Sequence, residues 1–253
     1  MDVQKHRTGL VSVSFRGHSP REILYAMKGA GLSLIEWGSD VHAPCHDVAR
    51  LNELVALMNE FGVRCCSYGT YFRLGQTPIG ELEAYILAAK TLGTDTLRLW
   101  CGTKSGADMT SDETLSLLAD CRAAAKIAER HGVTLCTECH RGTFTERTED
   151  ALWLMQEVDS PHFRTYWQPF QHREVEQNLA YLRDLAPYVT HLHVFQWKGA
   201  ARYSLSEGAG EWQGYLTLLE GSHTLLLEFM PDDKLETLGA EASALRAIIG
   251  EHQ

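Results

Sequence analysis

Four residues of this chain combine side-chain type and position in a way that points to chemistry: Glu138, Gln168, His193 and Glu228. Each closes, or nearly closes, a short apolar run: VTLCTE, RTYWQ, VTHLHVF and TLLLEF. A carboxylate at the end of an apolar strand is costly unless it is paired, hydrogen-bonded or bound to metal. Two carboxylates, an imidazole and an amide oxygen form a mixed donor set suited to a hard or borderline divalent cation. Each residue alone has a plainer reading. Glu138 could pair with Arg98 or Arg164, His193 could be a hydrogen-bonded core histidine, and a lone glutamine means little. Their recurrence at equivalent depth in successive strands favours a site.

The elements that must position them repeat along the chain. β-rich runs at 10–15, 32–36, 63–67, 96–100, 133–138, 164–168, 189–195 and 224–229 alternate with amphipathic stretches such as REILYAMKGAG and DETLSLLADCRAAAKIAERHG. In the latter, apolar residues recur three and four apart, the helical period. Thr110 to Glu113 reads as a capping box, and Gly31, Gly62, Gly93 and Gly132 as helix stops. A strand spacing of roughly 30 residues is that of a βαβ unit. Eight such units without a linker predict an α/β fold, a single-domain (β/α)8 TIM barrel over residues 1–253. In such barrels the strands' C-terminal ends form the active mouth. An open doubly wound sheet would be favoured by GxGxxG after the first strand, where Arg16-Gly-His-Ser stands instead.

Composition narrows the function classes. The 253 residues are 44% hydrophobic and 22% charged, with a net charge of -10. That charge disfavours nucleic-acid partners and anionic membrane surfaces. No apolar run reaches the roughly 18 residues of a membrane span. The start, MDVQKHRTGLVSVSF, lacks a signal peptide's long apolar segment, so a cytoplasmic location is expected. The seven cysteines, an odd number in a long chain, read as reduced and mostly buried thiols. Cys136 and Cys139 spell C-x-x-C, but residues three apart on a strand face opposite ways and no second pair completes a zinc site.

The chain resembles the xylose isomerase-like TIM barrels, which include sugar and sugar-phosphate isomerases and epimerases, inosose dehydratases and endonuclease IV. The resemblance covers nearly the whole chain and rests on GAGLSLIEWGSDVH, TLCTECH, HLHVF and LLLEF. It implies that Glu138, His193 and Glu228 are metal ligands, for manganese, magnesium, cobalt or zinc. The family usually has an aspartate in a D-x-x-H pattern at the end of the sixth strand. Here Gln168-Pro-Phe-Gln171 is followed by His172, and Phe195-Gln196-Trp197 follows the seventh strand without the usual aspartate. An amide oxygen can ligate but carries no charge, so divalent binding is expected to be weaker. The resemblance places substrate contacts at Glu36 and His42. Tyr71 and Trp100 could pack on a sugar face, and Arg73, His140, His172 and Arg202 could bind hydroxyls or a phosphate. For each aromatic, ordinary packing is the alternative. The loop SEGAGEW, with Gly208 and Gly210, reads either as a phosphate seat or as a plain turn.

The expected activity is metal-dependent isomerisation or epimerisation of a small keto-sugar, phosphorylated or not. The cation would stabilise the enediolate, and Glu138 and Glu228 would act as base and acid. One alternative is loss of water from a keto-inositol or keto-sugar at the same site. A non-catalytic sugar-binding barrel is another, which Gln168 keeps open. An endonuclease IV-type nuclease is disfavoured by the charge and by strand ends two and three. No organic cofactor is required, and homo-oligomerisation is left open.

Overall fold

The computed structural model describes residues 6–250. Eight parallel strands close a barrel: β1 (Arg7–Val11), β2 (Leu34–Gly38), β3 (Arg64–Leu74), β4 (Thr96–Cys101), β5 (Thr134–Glu138), β6 (Phe163–Trp167), β7 (Val189–Val194) and, after a short hairpin, β10 (Thr224–Leu227). The hairpin pairs β8 (Gln196–Lys198) with β9 (Ala201–Tyr203) in antiparallel register. Strand order around the barrel is β1-β10-β7-β6-β5-β4-β3-β2, so every neighbour except the closing pair is a sequence neighbour within the barrel. The expected (β/α)8 architecture is therefore present.

Eight helices wrap the outside: α1 (Pro20–Gly29), α2 (Val48–Phe61), α3 (Leu82–Leu92), α4 (Ser111–His131), α5 (Thr148–Val158), α6 (Val175–Leu185), α7 (Ala209–Leu216) and α8 (Leu238–Ile248). Their starts and stops follow local chemistry. Thr110 and Glu113 form the capping box that opens α4, and Ser19 with Glu22 forms another on α1. Gly62, Gly93 and Gly132 end α2, α3 and α4 in the left-handed conformation, which glycine adopts without a Cβ clash. The helices bury apolar stripes such as Leu117, Cys121, Ala124 and Ala128 of α4 against the barrel's outer surface.

Inside the barrel, Val11, Val13, Cys136, Tyr166 and Leu226 form a separate buried cluster. It provides a low-dielectric floor beneath the polar strand ends. All seven cysteines are free thiols. Cys136 and Cys139 use separate neighbours, Thr190 and Thr165, as strand alternation requires.

Two strand boundaries differ from the sequence expectation in ways that matter. The first strand runs earlier than 10–15, and Ser12–Phe15 forms a 3-10 turn. Two serines explain the turn: Ser12 Oγ accepts from the Gly38 backbone N–H, and Ser14 Oγ accepts from that of Phe229. Both fasten neighbouring strand ends. The hairpin β8–β9 was not expected at all. It packs over the strand-six loop, where the Gly199 N–H donates to the Gln171 carbonyl at 2.8 Å. Among the described residues, no helix is long and apolar enough to cross a membrane.

Candidate metal centre

The C-terminal strand ends bring the four singled-out residues together. Glu138 ends β5, Gln168 follows β6 directly, His193 lies in β7 and Glu228 follows β10. All four are buried. Neighbouring register sets their common depth: His193 is level with Leu226 of β10, and Glu138 with Tyr166 of β6. The Glu228 N–H donates to the Val194 carbonyl, holding the loop end against β7.

Nδ1 of His193 is the focus. It lies 3.1 Å from Gln168 Oε1 and 3.4 Å from one oxygen each of Glu138 and Glu228. One ligand atom from each of Glu138, His193 and Glu228 falls within 4.8 Å of the others. A ring nitrogen can donate only one hydrogen bond, so three oxygens around it are more than a proton can serve. A divalent cation among the four donors would satisfy them all. Nε2 of His193 is buried without a hydrogen bond and faces Glu36 Oε1 at 3.6 Å. That is the arrangement in which a carboxylate orients a metal-binding imidazole from behind.

The surrounding charges also fit a cation. Arg98, only 3% exposed, lies between two carboxylates. Its Nη1 donates to Glu138 Oε2 at 2.8 Å, and its Nε to Glu36 Oε1 at 3.3 Å. Trp100 Nε1 also donates to Glu138 Oε2, leaving the other oxygen turned to His193. With His193 neutral and the three carboxylates ionised, Glu36, Glu138 and Glu228 against Arg98 carry a formal charge of minus two, which one divalent ion cancels. Gly69 makes this packing feasible, since a Cβ there would lie 2.6 Å from Glu36 Oε1 and 2.8 Å from Arg98 Nη2.

The two candidate ligand carboxylates, Glu138 and Glu228, are electrostatically unlike. Burial alone would raise both. At Glu138, Arg98 and His193 outweigh it and hold the carboxyl well below the ordinary range. At Glu228, burial together with the nearby Glu138 raises the pKa to about 7. At Glu36, burial is outweighed by Arg98, His193 and Ser67, which bring the carboxyl down to about 2. Burial opposes charge on His193, yet the carboxylates around it raise its pKa to about 10.

Of the expected substrate contacts, three line the mouth beside this centre. Trp100 binds Glu138, His140 stacks on Trp100 at 4.9 Å, and Tyr71 packs against Trp100 at 5.8 Å. Arg202 also lies at the rim, over Trp197 and paired with Asp233. His172 is exposed and lines a separate groove of about 350 Å³ between the strand-six loop and the hairpin. Glu36 and His42 are both buried. Glu36 is fully buried, bound by Ser67 Oγ at 2.7 Å and by Arg98. His42 is 1% exposed, with its ring nitrogens at Ser12 Oγ and the His18 carbonyl, so it braces the first two strand ends. Gly208 is a packing glycine, since a Cβ there would fall 2.0 Å from Gln196 Oε1. Arg98 is the residue sequence reasoning undervalued. The alternation of Thr96-Leu-Arg-Leu-Trp puts Arg98 and Trp100 on one inward face, and that signal was available.

Comparison with known proteins agrees with this architecture. No sequence among curated proteins matches the chain. Among solved structures, the probable 3-DHS dehydratase AsbF of Bacillus anthracis, involved in petrobactin synthesis, superposes with a TM-score of 0.78 at 18% identity, covering 95% of this chain and 98% of that one. The IolI protein with a bound zinc atom gives 0.74 at 13% identity over 98% and 99% of the two chains. D-psicose 3-epimerase of Clostridium cellulolyticum H10, solved with D-tagatose, gives 0.68 at 14% over 96% and 99%. At these identities the likeness bears on the fold. A family model described as a xylose isomerase-like TIM barrel matches residues 24–248, most of the chain, and the protein belongs to that family.

Proposed function

We propose that this protein is a metal-dependent isomerase or epimerase of a small polyhydroxylated ketone, with Glu138, Gln168, His193 and Glu228 as ligands. The observation that carries this reading is the convergence of three oxygens on His193 Nδ1 at 3.1–3.4 Å within a buried pocket. A divalent cation held there supplies Lewis-acid polarisation of a carbonyl and its neighbouring hydroxyl. The chain's own groups do the rest. Glu228, whose carboxylate has no fixed N–H or O–H donor among the described residues apart from the His193 ring, takes the proton from the carbon next to the carbonyl. It returns that proton to the neighbouring carbon for isomerisation. Glu138 is the partner on the other side for inversion at one carbon, but Arg98 and Trp100 hold one of its oxygens. Glu36 fixes the ring of His193, and the apolar floor keeps water from beneath.

That asymmetry favours reactions needing one proton-transfer group over two-sided inversion. It also supports a second reading, loss of water. Glu228 would take the carbon-bound proton and deliver it to the hydroxyl leaving the next carbon, giving an unsaturated ketone and water. The names of the similar structures, a dehydratase and an epimerase among them, accommodate both.

The test is solvent-deuterium exchange by the manganese-loaded protein with a panel of ketoses. Exchange at the carbon next to the carbonyl is expected. Glu228→Gln should lower it by about 10²–10⁴-fold, and Glu138→Gln by less, provided manganese still binds. A loaded protein that exchanges nothing would overturn the enzymatic reading in favour of a sugar-binding barrel. Product analysis separates isomerisation from dehydration.

A further inference from the structure

Besides the buried Arg98, Arg16, Arg73 and Arg202 stand at the mouth, and they are not equivalent. Arg16 is paired with Asp40 and touches the Tyr71 hydroxyl. Arg202 is paired with Asp233 and donates to the Met230 carbonyl. Arg73 has no carboxylate within ion-pair distance among the described residues. Its Nη1 donates to the Gly102 carbonyl at 2.9 Å, and its guanidinium lies over the Trp100 ring, 4.0 Å from the centroid.

The placement of Arg73 is built by the fold. β3 is unusually long and carries Arg73 level with Trp100 of β4. The β3–β4 register shifts between Gly69 and Arg73, and contacts rather than alternation place the three together: Gly69 meets Glu36 and Arg98, while Tyr71 and Arg73 both pack on Trp100. Trp100 in turn binds Glu138. The guanidinium thus sits one indole ring away from the proposed ligand carboxylate, half-buried. One hydrogen bond and one ring contact hold it, and among the described residues Nε and Nη2 make no hydrogen bond. Burial works against its charge, and the field of Glu138 supports it. Glu138 is already engaged by Arg98, so Arg73 keeps an unspent charge facing the mouth.

We infer that the substrate carries an oxyanion group, a carboxylate or a phosphate, and that the fork of Arg73 on Trp100 holds it. The planar guanidinium matches such a group with two parallel hydrogen bonds, whereas a neutral polyol needs no fixed charge. This inference rests on the proposed function for the location of the reacting carbon. It narrows the substrate class to acidic or phosphorylated hydroxy-ketones. Arg73 is then a specificity-determining residue that orients the far end of the substrate, while Glu228 acts at the carbonyl end.

The experiment is titration calorimetry of the manganese-loaded protein and its Arg73→Gln and Arg73→Lys variants with three probes. These are D-ribulose, D-ribulose 5-phosphate and 5-keto-D-gluconate. One anionic probe is expected to bind the wild type at least about tenfold more tightly than D-ribulose, since a hydrogen bond to a charged group is worth that much or more. Arg73→Gln should weaken the preferred anionic probe at least about tenfold more than it weakens D-ribulose, and Arg73→Lys should keep part of the preference. Preference for the phosphate or for the keto acid identifies the oxyanion. Equal affinity for neutral and anionic probes, a preference that survives in Arg73→Gln, or binding of none of the three overturns the inference. Electron paramagnetic resonance of bound manganese reports the metal site separately. A protein that shows Arg73-dependent anion preference but no ordered manganese would refute the proposed function and leave the anion site standing.

Discussion

Replacing Arg98 with methionine keeps much of the side-chain volume and removes the charge between two carboxylates. The side chains of Arg98, Glu36 and Glu138 are 4%, 0% and 5% exposed, so water cannot take over the role of the guanidinium. Removing one partner of a buried ion pair costs about 3–5 kcal/mol, because the other charge is left without compensation. At about 2–4 °C per kcal/mol for a chain of this length, Arg98→Met should melt about 6–20 °C lower than the wild type. Urea unfolding followed by fluorescence of the six tryptophans gives the same difference as free energy. Its pH dependence carries a sign. The carboxyl of Glu36 is brought from an ordinary 4.5 down to about 2 in the fold. Its contribution to stability is therefore present above about pH 4.5 and fades as pH falls toward 2. The gap between wild type and Arg98→Met should narrow over that window, and adding Glu36→Gln to Arg98→Met should recover part of the loss at neutral pH. A single variant within about 1 kcal/mol of wild type at pH 7 would refute this account of the buried network, as would a double variant weaker than the single.

Three further outcomes follow from the same geometry. Gln168→Asp adds a charge to the donor set and should tighten manganese binding by about tenfold or more in calorimetric titration; equal or weaker affinity would place Gln168 outside the ligand set. Gly69→Ala drives a Cβ to 2.6 Å from Glu36 Oε1 and should cost about 1–3 kcal/mol in urea unfolding while loosening manganese binding; an unchanged protein would mean that Glu36 and Arg98 can shift freely. His42 is buried, which lowers its pKa in the fold below the ordinary 6.5. The contribution of His42 to stability should therefore be lost as pH falls below about 6.5, and His42→Asn should lose less stability than the wild type on going from pH 7 to pH 5 in thermal melts.

Much of the architecture was legible locally. Helical and strand periods, the capping box at Thr110 and glycine stops depend on neighbours a few residues away, so they can be read from the chain. The polar residues ending apolar strands were legible for the same reason, because burial cost marks them wherever they occur. Boundaries moved where distant groups intervened. Ser12 and Ser14 bend the end of β1 because Gly38 and Phe229 offer them N–H donors, and nothing within the first fifteen residues announces those partners.

The division between sequence and tertiary structure is sharpest at the centre itself. Composition, strand spacing and strand-end residue types determined by themselves that this is a (β/α)8 barrel and that Glu138, Gln168, His193 and Glu228 are its unusual residues. Only the closed barrel decided that Glu138, Gln168 and Glu228 converge on one ring nitrogen of His193, that Glu36 stands behind that ring, and that Arg98 rather than Arg164 holds Glu138. It also decided that Glu36 and His42 are buried and hydrogen-bonded, and that Arg73 lies over Trp100. The physical reason is one of range. Propensity and hydrophobic period act over a few residues, while the pairing of charges 40 and 62 positions apart depends on how strands register around the barrel and how little water remains between them.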